Sequence, residues 1–296
     1  MKPRYAIYLL VLGAIWGSSY LFIKVGVRDL SPAVLIEIRL VCAAPLLVAF
    51  AVRRYGAHAL RAAWRQSVVL GIGNAAIPFT LIAWGEKHVD SGVAAVANAS
   101  VPIFVALLAF RFVPSERSTG WRLVGVALGL AGVAVLAGVH PAGGWWGAAG
   151  TGAIVVASLS YAISNLYAGR RMAAGGPVLA AGSMVVAFVV LLPLAFASLP
   201  ERTPGWKPVG SAVVLGVAGT AIAQVLSYRM IRLWGSSRAV LVAYMLPAFA
   251  LFYGAVFLAE ALTWQKLVGL AGILAGVALG SGAIRLARRE PAVQTP

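Results

Sequence analysis

Long apolar runs alternate along the chain with short breaks that carry charges, Gly or Pro. A helix needs about 20 apolar residues to cross the hydrocarbon core of a bilayer, so runs of this length predict membrane-spanning helices. The runs are apolar on every face, which excludes the strands of a membrane barrel, where apolar and polar residues alternate. The ten predicted spans cover about residues 5–24, 33–52, 67–85, 91–110, 120–139, 148–168, 177–198, 209–228, 238–258 and 265–284.

A long stretch of the first half of the chain reappears in the second half. Residues 101–133 read VPIFVALLAFRFVPSERSTGWRLVGVALGLAGV, and residues 246–277 read LPAFALFYGAVFLAEALTWQKLVGLAGILAGV. The offset is 145 residues between Pro102 and Pro247 and 144 between the Glu residues that follow them, so one gap separates two parallel readings. Weaker matches continue upstream, and the repeat covers almost the whole chain.

The ten spans therefore divide into two matching halves, residues 1–147 and 148–296, within one membrane domain. Each half holds five spans, an odd number, so equivalent helices must cross the membrane in opposite directions. Inverted repeats are a recurrent plan of secondary transporters, with the substrate near the midplane between them. We expect an all-α membrane protein of ten transmembrane helices, built as two inverted five-helix repeats that allow alternating access.

Composition agrees with this class of protein. Hydrophobic residues make up 61% of the chain and charged residues 11%, with a mean hydropathy of +0.91, whereas about a quarter of a soluble domain is charged. The net charge of +16 would favour nucleic acid as a partner of a soluble protein. Here the Lys and Arg residues lie between apolar runs, so we expect a lipid bilayer and no nucleic acid.

The basic residues also orient the chain, because cytoplasmic loops carry the excess of Lys and Arg. With the N-terminus inside, seventeen of the 24 Lys and Arg residues lie on the cytoplasmic side, six lie outside, and Arg39 lies within the second span. Both termini are therefore predicted to be cytoplasmic.

Enzymatic chemistry has no obvious residues in these spans. The single cysteine, Cys42, lies inside an apolar run, so neither an intrachain disulfide nor a Cys/His metal spacing is present. An intramembrane enzyme would need a nucleophile with its base, a metal cluster or paired carboxylates within the membrane. We expect no metal, no cofactor and no enzyme.

Several of these features occur together in one known superfamily. They are the first-span sequence AIWGSS at residues 14–19, Arg39 in the second span, and the repeated series of Pro, Glu and Gly residues. In this combination the chain resembles the drug/metabolite transporter superfamily over its full length. Within it, the chain is similar to the EamA-type ten-helix carriers and to the YddG-like amino-acid exporters. The resemblance implies an exporter of small metabolites in a bacterial inner membrane.

Polar and aromatic residues near the middle of the spans are the candidates for substrate contact. An unpaired polar group in hydrocarbon is costly, so it normally faces a partner or a water-filled cavity. The alternative is an interhelical hydrogen bond, typically worth about 0.6 kcal/mol. The predicted substrate-binding residues, on spans 1, 3, 4, 6, 8 and 9, are Trp16, Ser19, Asn74, Pro78, Asn98, Tyr161, Gln224 and Tyr244.

Arg39 is the one clear cation inside a span. It could bind a substrate carboxylate or hold the outer gate through bidentate hydrogen bonds that Lys cannot copy. The alternative is a structural Arg that bonds to carbonyls or extends outward.

Three prolines fall inside predicted spans. Pro78, Pro102 and Pro247 each lack a backbone N–H and are expected to kink their helices. The equivalence of Pro102 and Pro247 favours a hinge role in moving one half against the other, although a static kink that helps packing is the alternative.

All eight acidic residues fall at or near span ends or in loops. We therefore expect no buried carboxylate to serve as a proton relay, and facilitated export is the simpler hypothesis. Glu116 and Glu260 are interpreted as structural residues on opposite membrane faces, next to Thr119 and Thr263, which could cap the starts of spans 5 and 10.

Small residues at three- and four-residue spacing mark spans 5 and 10. Such glycines let helix backbones approach closely, so these spans should pack tightly, against each other or in a homodimer, and should not contact substrate. The glycines are Gly125, Gly129, Gly132, Gly269, Gly272, Gly276 and Gly280.

Together the pattern predicts a secondary transporter that exports small neutral metabolites. Amino acids, especially large neutral or aromatic ones, fit a site with Trp, Tyr, Asn and Gln and a single Arg, because a sugar phosphate would need several internal cations. A multidrug or other metabolite exporter is the alternative within the superfamily. A channel is the alternative outside it, since backbone carbonyls can supply selectivity.

Overall fold

The regular structure is helical throughout the described part of the chain. A computed structural model describes residues 3–112, 121–137, 144–171, 175–234 and 241–280. The α-helices are α1 (Pro3–Gly26), α2 (Pro32–Tyr55), α3 (Ala57–Ala62), α4 (Trp64–Gly71), α5 (Ile77–His88), α6 (Ser91–Asn98), α7 (Val101–Phe112), α8 (Trp121–Ala137), α9 (Gly144–Arg171), α10 (Gly176–Ala197), α11 (Trp206–Gly216), α12 (Ala223–Trp234), α13 (Leu241–Leu258) and α14 (Trp264–Gly280). Within the described residues, each predicted span overlaps one of these helices or two consecutive ones.

Among the residues that the structure describes, seven helical segments are long and apolar enough to cross a membrane. They are Arg4–Gly26, Pro32–Tyr55, Trp64–His88, Ser91–Leu108, Gly144–Ala168, Gly176–Ala197 and Trp206–Trp234. Two shorter apolar helices, Val124–Val135 and Val242–Leu258, accompany them in the described residues. Large apolar side chains such as Val189 and Phe252 are more than half exposed on the helix surfaces. The protein is therefore an integral membrane protein with an all-helical fold.

Local sequence sets the limits of α2, the most central helix. Ser31 accepts a hydrogen bond from the Val34 N–H at 3.3 Å, and Pro32 follows it at the first helical position, where a missing N–H costs nothing. Gly56, with φ of 81°, ends the helix, because only Gly adopts such a backbone angle without strain. Between these ends Leu35, Ile36 and Leu40 are completely buried.

Two short π-helical turns interrupt the third and eighth predicted spans. The first covers Ile72–Ala76, between α4 and α5, and the second covers Val217–Ile222, between α11 and α12. Their first residues are 145 positions apart, which is the offset of the sequence repeat. A π turn adds one residue per turn and recurs at functional sites.

Helix packing pairs the two halves of the chain with each other. The helix α1 packs on α11 and α13, while α9, which begins the second half, packs on α5 and α7. The helix α2 packs on α10, and α8 packs on α14. Apart from the short helix α3, each helix of the first half thus has its principal neighbour in the second.

Glycines bring α8 and α14 into backbone contact. A Cβ added to Gly276 would lie 2.5 Å from the backbone N of Gly129, and one added to Gly132 would lie 2.8 Å from the N of Ile273. The glycines predicted to allow close packing of spans 5 and 10 therefore lie in the contact between these two helices of one chain. Thr263 precedes α14, where its Oγ1 accepts from the Lys266 N–H at a long 3.5 Å.

The connections between helices gather at two ends of the bundle. At one end Asp29 accepts from the Gly205 N–H at 3.0 Å, and the hydroxyls of Ser31 and Ser198 lie 3.0 Å apart. At the other end Tyr55, the last residue of α2, lies near Gly175, which precedes α10. We refer to the first as the Asp29 end.

Candidate functional site

A cavity of about 230 Å³ lies inside the bundle. Its walls come from α1, α2, α5, α6, α9, α10, α12 and α13 and from both π-helical turns. Of the eight predicted substrate-binding residues, six face it together with Arg39: Trp16, Ser19, Asn74, Asn98, Tyr161 and Gln224. These residues are far apart in the sequence, and the fold brings them to one place.

Pro78 and Tyr244, the other two predicted residues, are not part of the cavity lining. Pro78 is buried at the start of α5, and the lining residue is its neighbour Phe79. Tyr244 packs against the main apolar core, while Leu246 of the same helix reaches the cavity.

Several lining residues were absent from the sequence prediction. They include the aromatic residues Tyr20 and Phe79. Met184 adds α10 to the walls, which the prediction had left out. An apolar residue in an apolar span gives no signal that it faces a cavity.

Arg39 is the only charged residue among the described residues of the lining and is held on two sides. Its Nε donates to the Thr220 Oγ1 at 2.7 Å, and its Cζ lies 3.7 Å from the centre of the Phe79 ring. The residue is 7% exposed. The hydrogen bond and the cation–π contact fix the plane of the guanidinium, so its remaining N–H groups are positioned for a carboxylate.

Asn98 joins three helices beside the cavity. Its Nδ2 donates to the Tyr20 hydroxyl at 2.9 Å, and its Oδ1 accepts from the Ser158 hydroxyl at 3.1 Å. These bonds connect α6 to α1 and α9, so the amide orientation is fixed before any ligand arrives.

Other polar groups of the lining have no such partner. Trp16, Asn74 and Gln224 make no side-chain hydrogen bond to any other residue that the structure describes. Because unpaired polar groups inside a bundle normally meet water or a ligand, these three are the groups free to bind one.

The three prolines occupy different environments. Pro78 follows the first π-helical turn and has no N–H to donate to a carbonyl of that turn. One of those carbonyls, that of Gly73, accepts from the Ser160 hydroxyl at 2.7 Å. Pro102 lies at the second residue of α7, after a break at residues 99–100, so no helical hydrogen bond is lost there. Pro247 lies inside the continuous helix α13. The expected equivalence of the last two does not extend to their local helix geometry.

A second group of polar residues lies at the Asp29 end, and we name it the Glu86 cluster. It consists of Lys24, Glu86, Asp90, Ser91, Glu260 and Lys266. The Lys24 ammonium donates to the carbonyls of Glu86, in the last turn of α5, and of Val89, the residue after α5, each at 2.7 Å. Lys266 is paired with Asp90 at 2.7 Å.

Glu260 caps α6 from the other half of the chain. Its carboxylate accepts from the Ser91 N–H at 2.8 Å, the Ser91 hydroxyl at 3.0 Å and the Gly92 N–H at 3.1 Å. A carboxylate at a helix N-terminus satisfies free N–H groups and meets the positive end of the helix dipole. Glu260 thus has the structural role expected for it, whereas Glu116 and Thr119 lie outside the described residues.

The expectation that no carboxylate is buried is wrong. Glu86 is 0% exposed and Glu37 is 7% exposed, and no described residue donates to the carboxylate oxygens of either. Glu86 is near the end of its span, but α5 packs there on α9, where Gly85 meets Gly150 and Ile154. A position near a helix end therefore did not imply contact with water.

A bundle of membrane-spanning helices around a small polar cavity defines this protein as a membrane transporter. The chain belongs to the EamA-like transporter family, which it matches twice, over residues 3–138 and 148–282. The family and its named members indicate transport rather than enzymatic activity.

Relatives of known name agree with this assignment. The chain is 33% identical over 290 residues to a probable terminal-alkyne amino-acid exporter of Streptantibioticus cattleyicolor, covering 94% of each chain. It is 30% identical over 285 residues to the inner membrane transporter YedA of Escherichia coli, covering 92% of this chain and 88% of that one. It is 26% identical over 306 residues to a probable amino-acid metabolite efflux pump of Salmonella typhimurium, covering 97% and 98%.

A solved crystal structure shares the fold. It superposes with a TM-score of 0.65 at 18% sequence identity, covering 95% of this chain and 97% of the other.

Proposed function

We propose that this protein exports small zwitterionic metabolites, with large neutral amino acids as the leading substrates, by alternating access between two inverted five-helix repeats. The charge of the cavity carries the proposal. Its one ionic group, Arg39, is prepared for a single carboxylate, and its other polar groups are uncharged. A substrate amine would meet the Tyr161 hydroxyl and the amide oxygens of Asn74 and Gln224, which accept hydrogen bonds.

The size of the cavity supports a metabolite over a drug. Its volume of about 230 Å³ is below the range of roughly 300–1,000 Å³ that accommodates drug-sized ligands. The side chains of Trp16, Phe79 and Met184 supply apolar surface for a large neutral side chain. The names of two relatives, an amino-acid exporter and an amino-acid metabolite efflux pump, point to the same class of substrate.

The packing supports two equivalent halves. Both halves carry a π-helical turn at the offset of the sequence repeat. Counted as whole spans, the contacts of α1 with the eighth and ninth spans have counterparts in those of α9 with the third and fourth, although α1 packs mainly on α11, before the π-helical turn, and α9 mainly on α5, after it. Halves that reproduce each other's contacts can exchange conformations, closing one end while opening the other. Pro102 and Pro247 are the proposed hinges for that exchange.

The two ends of the bundle support ten spans and the predicted orientation. Lys24, near the first predicted outer loop, contacts Val89 in the second, and Ser91 contacts Glu260 in the fifth. Asp29 contacts Gly205 in the fourth. Four predicted outer connections thus meet at the Asp29 end, which we assign to the outside of a bacterial inner membrane, with both termini in the cytoplasm.

Counterflow in proteoliposomes tests the function. Vesicles containing the purified protein are loaded with an unlabelled amino acid, and the entry of trace radiolabelled amino acid is followed. We expect a transient accumulation with leucine, phenylalanine or tryptophan, and none with a sugar phosphate. A channel would give no counterflow, because it has no binding site that moves from one side of the membrane to the other while carrying substrate. Accumulation of a cationic dye in place of amino acids would favour the multidrug alternative.

A further inference from the structure

Glu86 is a buried carboxyl whose neighbours are already bonded to other groups. Lys24 donates to two backbone carbonyls, and the N–H groups at the start of α6 donate to Glu260. Lys266 donates to Asp90 and to the Ala261 carbonyl. Neither oxygen of Glu86 receives a hydrogen bond from any residue in the described ranges.

Such a site is suited to the neutral form of the carboxyl. Burying an ionised carboxylate without donors costs several kcal/mol, and binding one proton removes that charge. Lys24 offers attraction but is held on the end of α5, while Glu260 adds repulsion. The closed Glu86 cluster therefore accommodates –COOH more readily than –COO⁻.

The charged and titratable groups around Glu86 come from every helix that packs on α5. Lys24 and Glu260 act on its carboxyl most directly. The remaining groups are Tyr20 on α1, Arg39 on α2, Tyr161 on α9, Asp90 before α6, and Lys87 and His88 on the same helix. Within the described residues Lys24 is the cation that could pair with an ionised Glu86 once the cluster opens.

Glu86 also lies between the cavity and the Asp29 end. Tyr20 lines the cavity and bonds to Asn98, and Ile82, one turn before Glu86 on α5, also lines the cavity. Opening of the Asp29 end would bring outer water to Glu86, and cavity water would lie one turn of α5 away. Access from two sides is what a coupling ion needs in an alternating-access carrier.

We propose that Glu86 is a proton-binding site that couples export of substrate to entry of a proton. With the Asp29 end open, the carboxylate takes a proton from the outer water and becomes neutral, which lets the Glu86 cluster close over it. With the cavity open to the other side, the proton leaves to the cavity water. The inference rests on the proposed export function and adds the coupling ion to it.

An imposed pH gradient tests the coupling. Proteoliposomes with an acidic lumen are placed in alkaline buffer, with the membrane potential clamped by valinomycin and equal potassium, and radiolabelled amino acid is added outside. A gradient of one pH unit is a tenfold proton ratio, so exchange of one proton per substrate concentrates the amino acid up to about tenfold. A protonophore should abolish this accumulation. Accumulation in vesicles with an alkaline lumen, or none in either, would overturn the proposal.

The variant Glu86→Gln fixes the neutral form at nearly the same volume. We expect its counterflow to stay within about twofold of wild type, while its accumulation ratio under the gradient falls from about ten to about one. Glu37→Gln is the matched control, since it neutralises the other buried carboxyl without donors, and it should keep the full ratio. Retained coupling in Glu86→Gln, or its loss in Glu37→Gln alone, would refute the assignment.

Proton movement in the wild-type protein gives a second measurement that needs no variant. Vesicles that contain a pH-sensitive dye and amino acid are diluted into amino-acid-free buffer, and substrate exit should acidify the lumen. A carrier that shows counterflow without acidification disproves the proton site but leaves the export function intact. Absence of counterflow with every amino acid disproves the export function itself.

Discussion

The central cavity and the Glu86 cluster both bury polar groups, but they satisfy them differently. In the cavity Arg39 is held by Thr220 and Phe79, and Asn98 is held by Tyr20 and Ser158. In the Glu86 cluster the donors are bonded to backbone carbonyls and to Glu260, and Glu86 itself has none within the described residues. Bonded groups keep one orientation and one charge, so they suit recognition. An unbonded carboxyl suits a step in which the charge changes.

The largest expected effect on transport comes from replacing Arg39, whose guanidinium is held in one orientation. Arg39→Lys keeps the charge but loses the Nε bond to Thr220 and the flat contact with Phe79. A hydrogen bond to a charged group contributes about 1.5–3 kcal/mol, so counterflow at low substrate concentration should fall by roughly ten- to a hundredfold. Arg28→Lys, at an exposed position before α2, should change nothing. Wild-type counterflow in folded Arg39→Lys would show that the cavity does not depend on a prepared guanidinium.

A smaller effect is expected from replacing Glu260, the hydrogen-bonded carboxylate of the Glu86 cluster. Glu260→Gln removes the charge and part of the hydrogen bonding at the start of α6, which costs about 1–2 kcal/mol. The thermal unfolding midpoint of the purified protein should therefore drop by a few degrees, at roughly 2–4 °C per kcal/mol. Glu201→Gln, in the exposed connection before α11, is the control and should leave the midpoint unchanged. An unchanged midpoint in Glu260→Gln would mean that this end is held by other contacts.

The smallest effect separates a bonded hydroxyl from an unbonded one. Thr220→Val removes the acceptor for Arg39 but leaves the contact with Phe79 and the N–H groups available to a substrate carboxylate. We therefore expect a loss of about 0.5–1.5 kcal/mol of binding free energy, below that of Arg39→Lys, and a fall in counterflow of about two- to tenfold. The hydroxyl of Thr80 is buried without a partner among the described residues. Thr80→Val should consequently transport like wild type. Equal losses in both variants would attribute the effect to the change of side chain and not to the bond.

The helices and much of the cavity could be predicted because membrane chemistry makes them visible in the sequence. An apolar run of span length has few other interpretations, so the predicted span 33–52 corresponds to the helix Pro32–Tyr55. Asn74 and Gln224 were found because an amide inside such a run has to face something polar. These inferences need only the composition along one helix.

The rest depends on segments that are distant in the sequence. Glu86 is buried because α5 packs on α9 and on other helices that are distant in the sequence, and no local pattern reports those contacts. Phe79 and Met184 face the cavity, yet they resemble the many apolar residues that face lipid. The helix break between α6 and α7, before Val101, could not be predicted, because an apolar run has the same composition with or without a break.

The two π-helical turns also record the history of the chain. Each is a helix turn enlarged by one residue, and the two begin 145 positions apart in segments that match the same family. Two independent insertions at the same place are a poor explanation for this coincidence. A single extra codon in an ancestral gene, present before that gene was duplicated and fused, accounts for both turns. The enlarged turn is on this account older than the two-half transporter that now contains it.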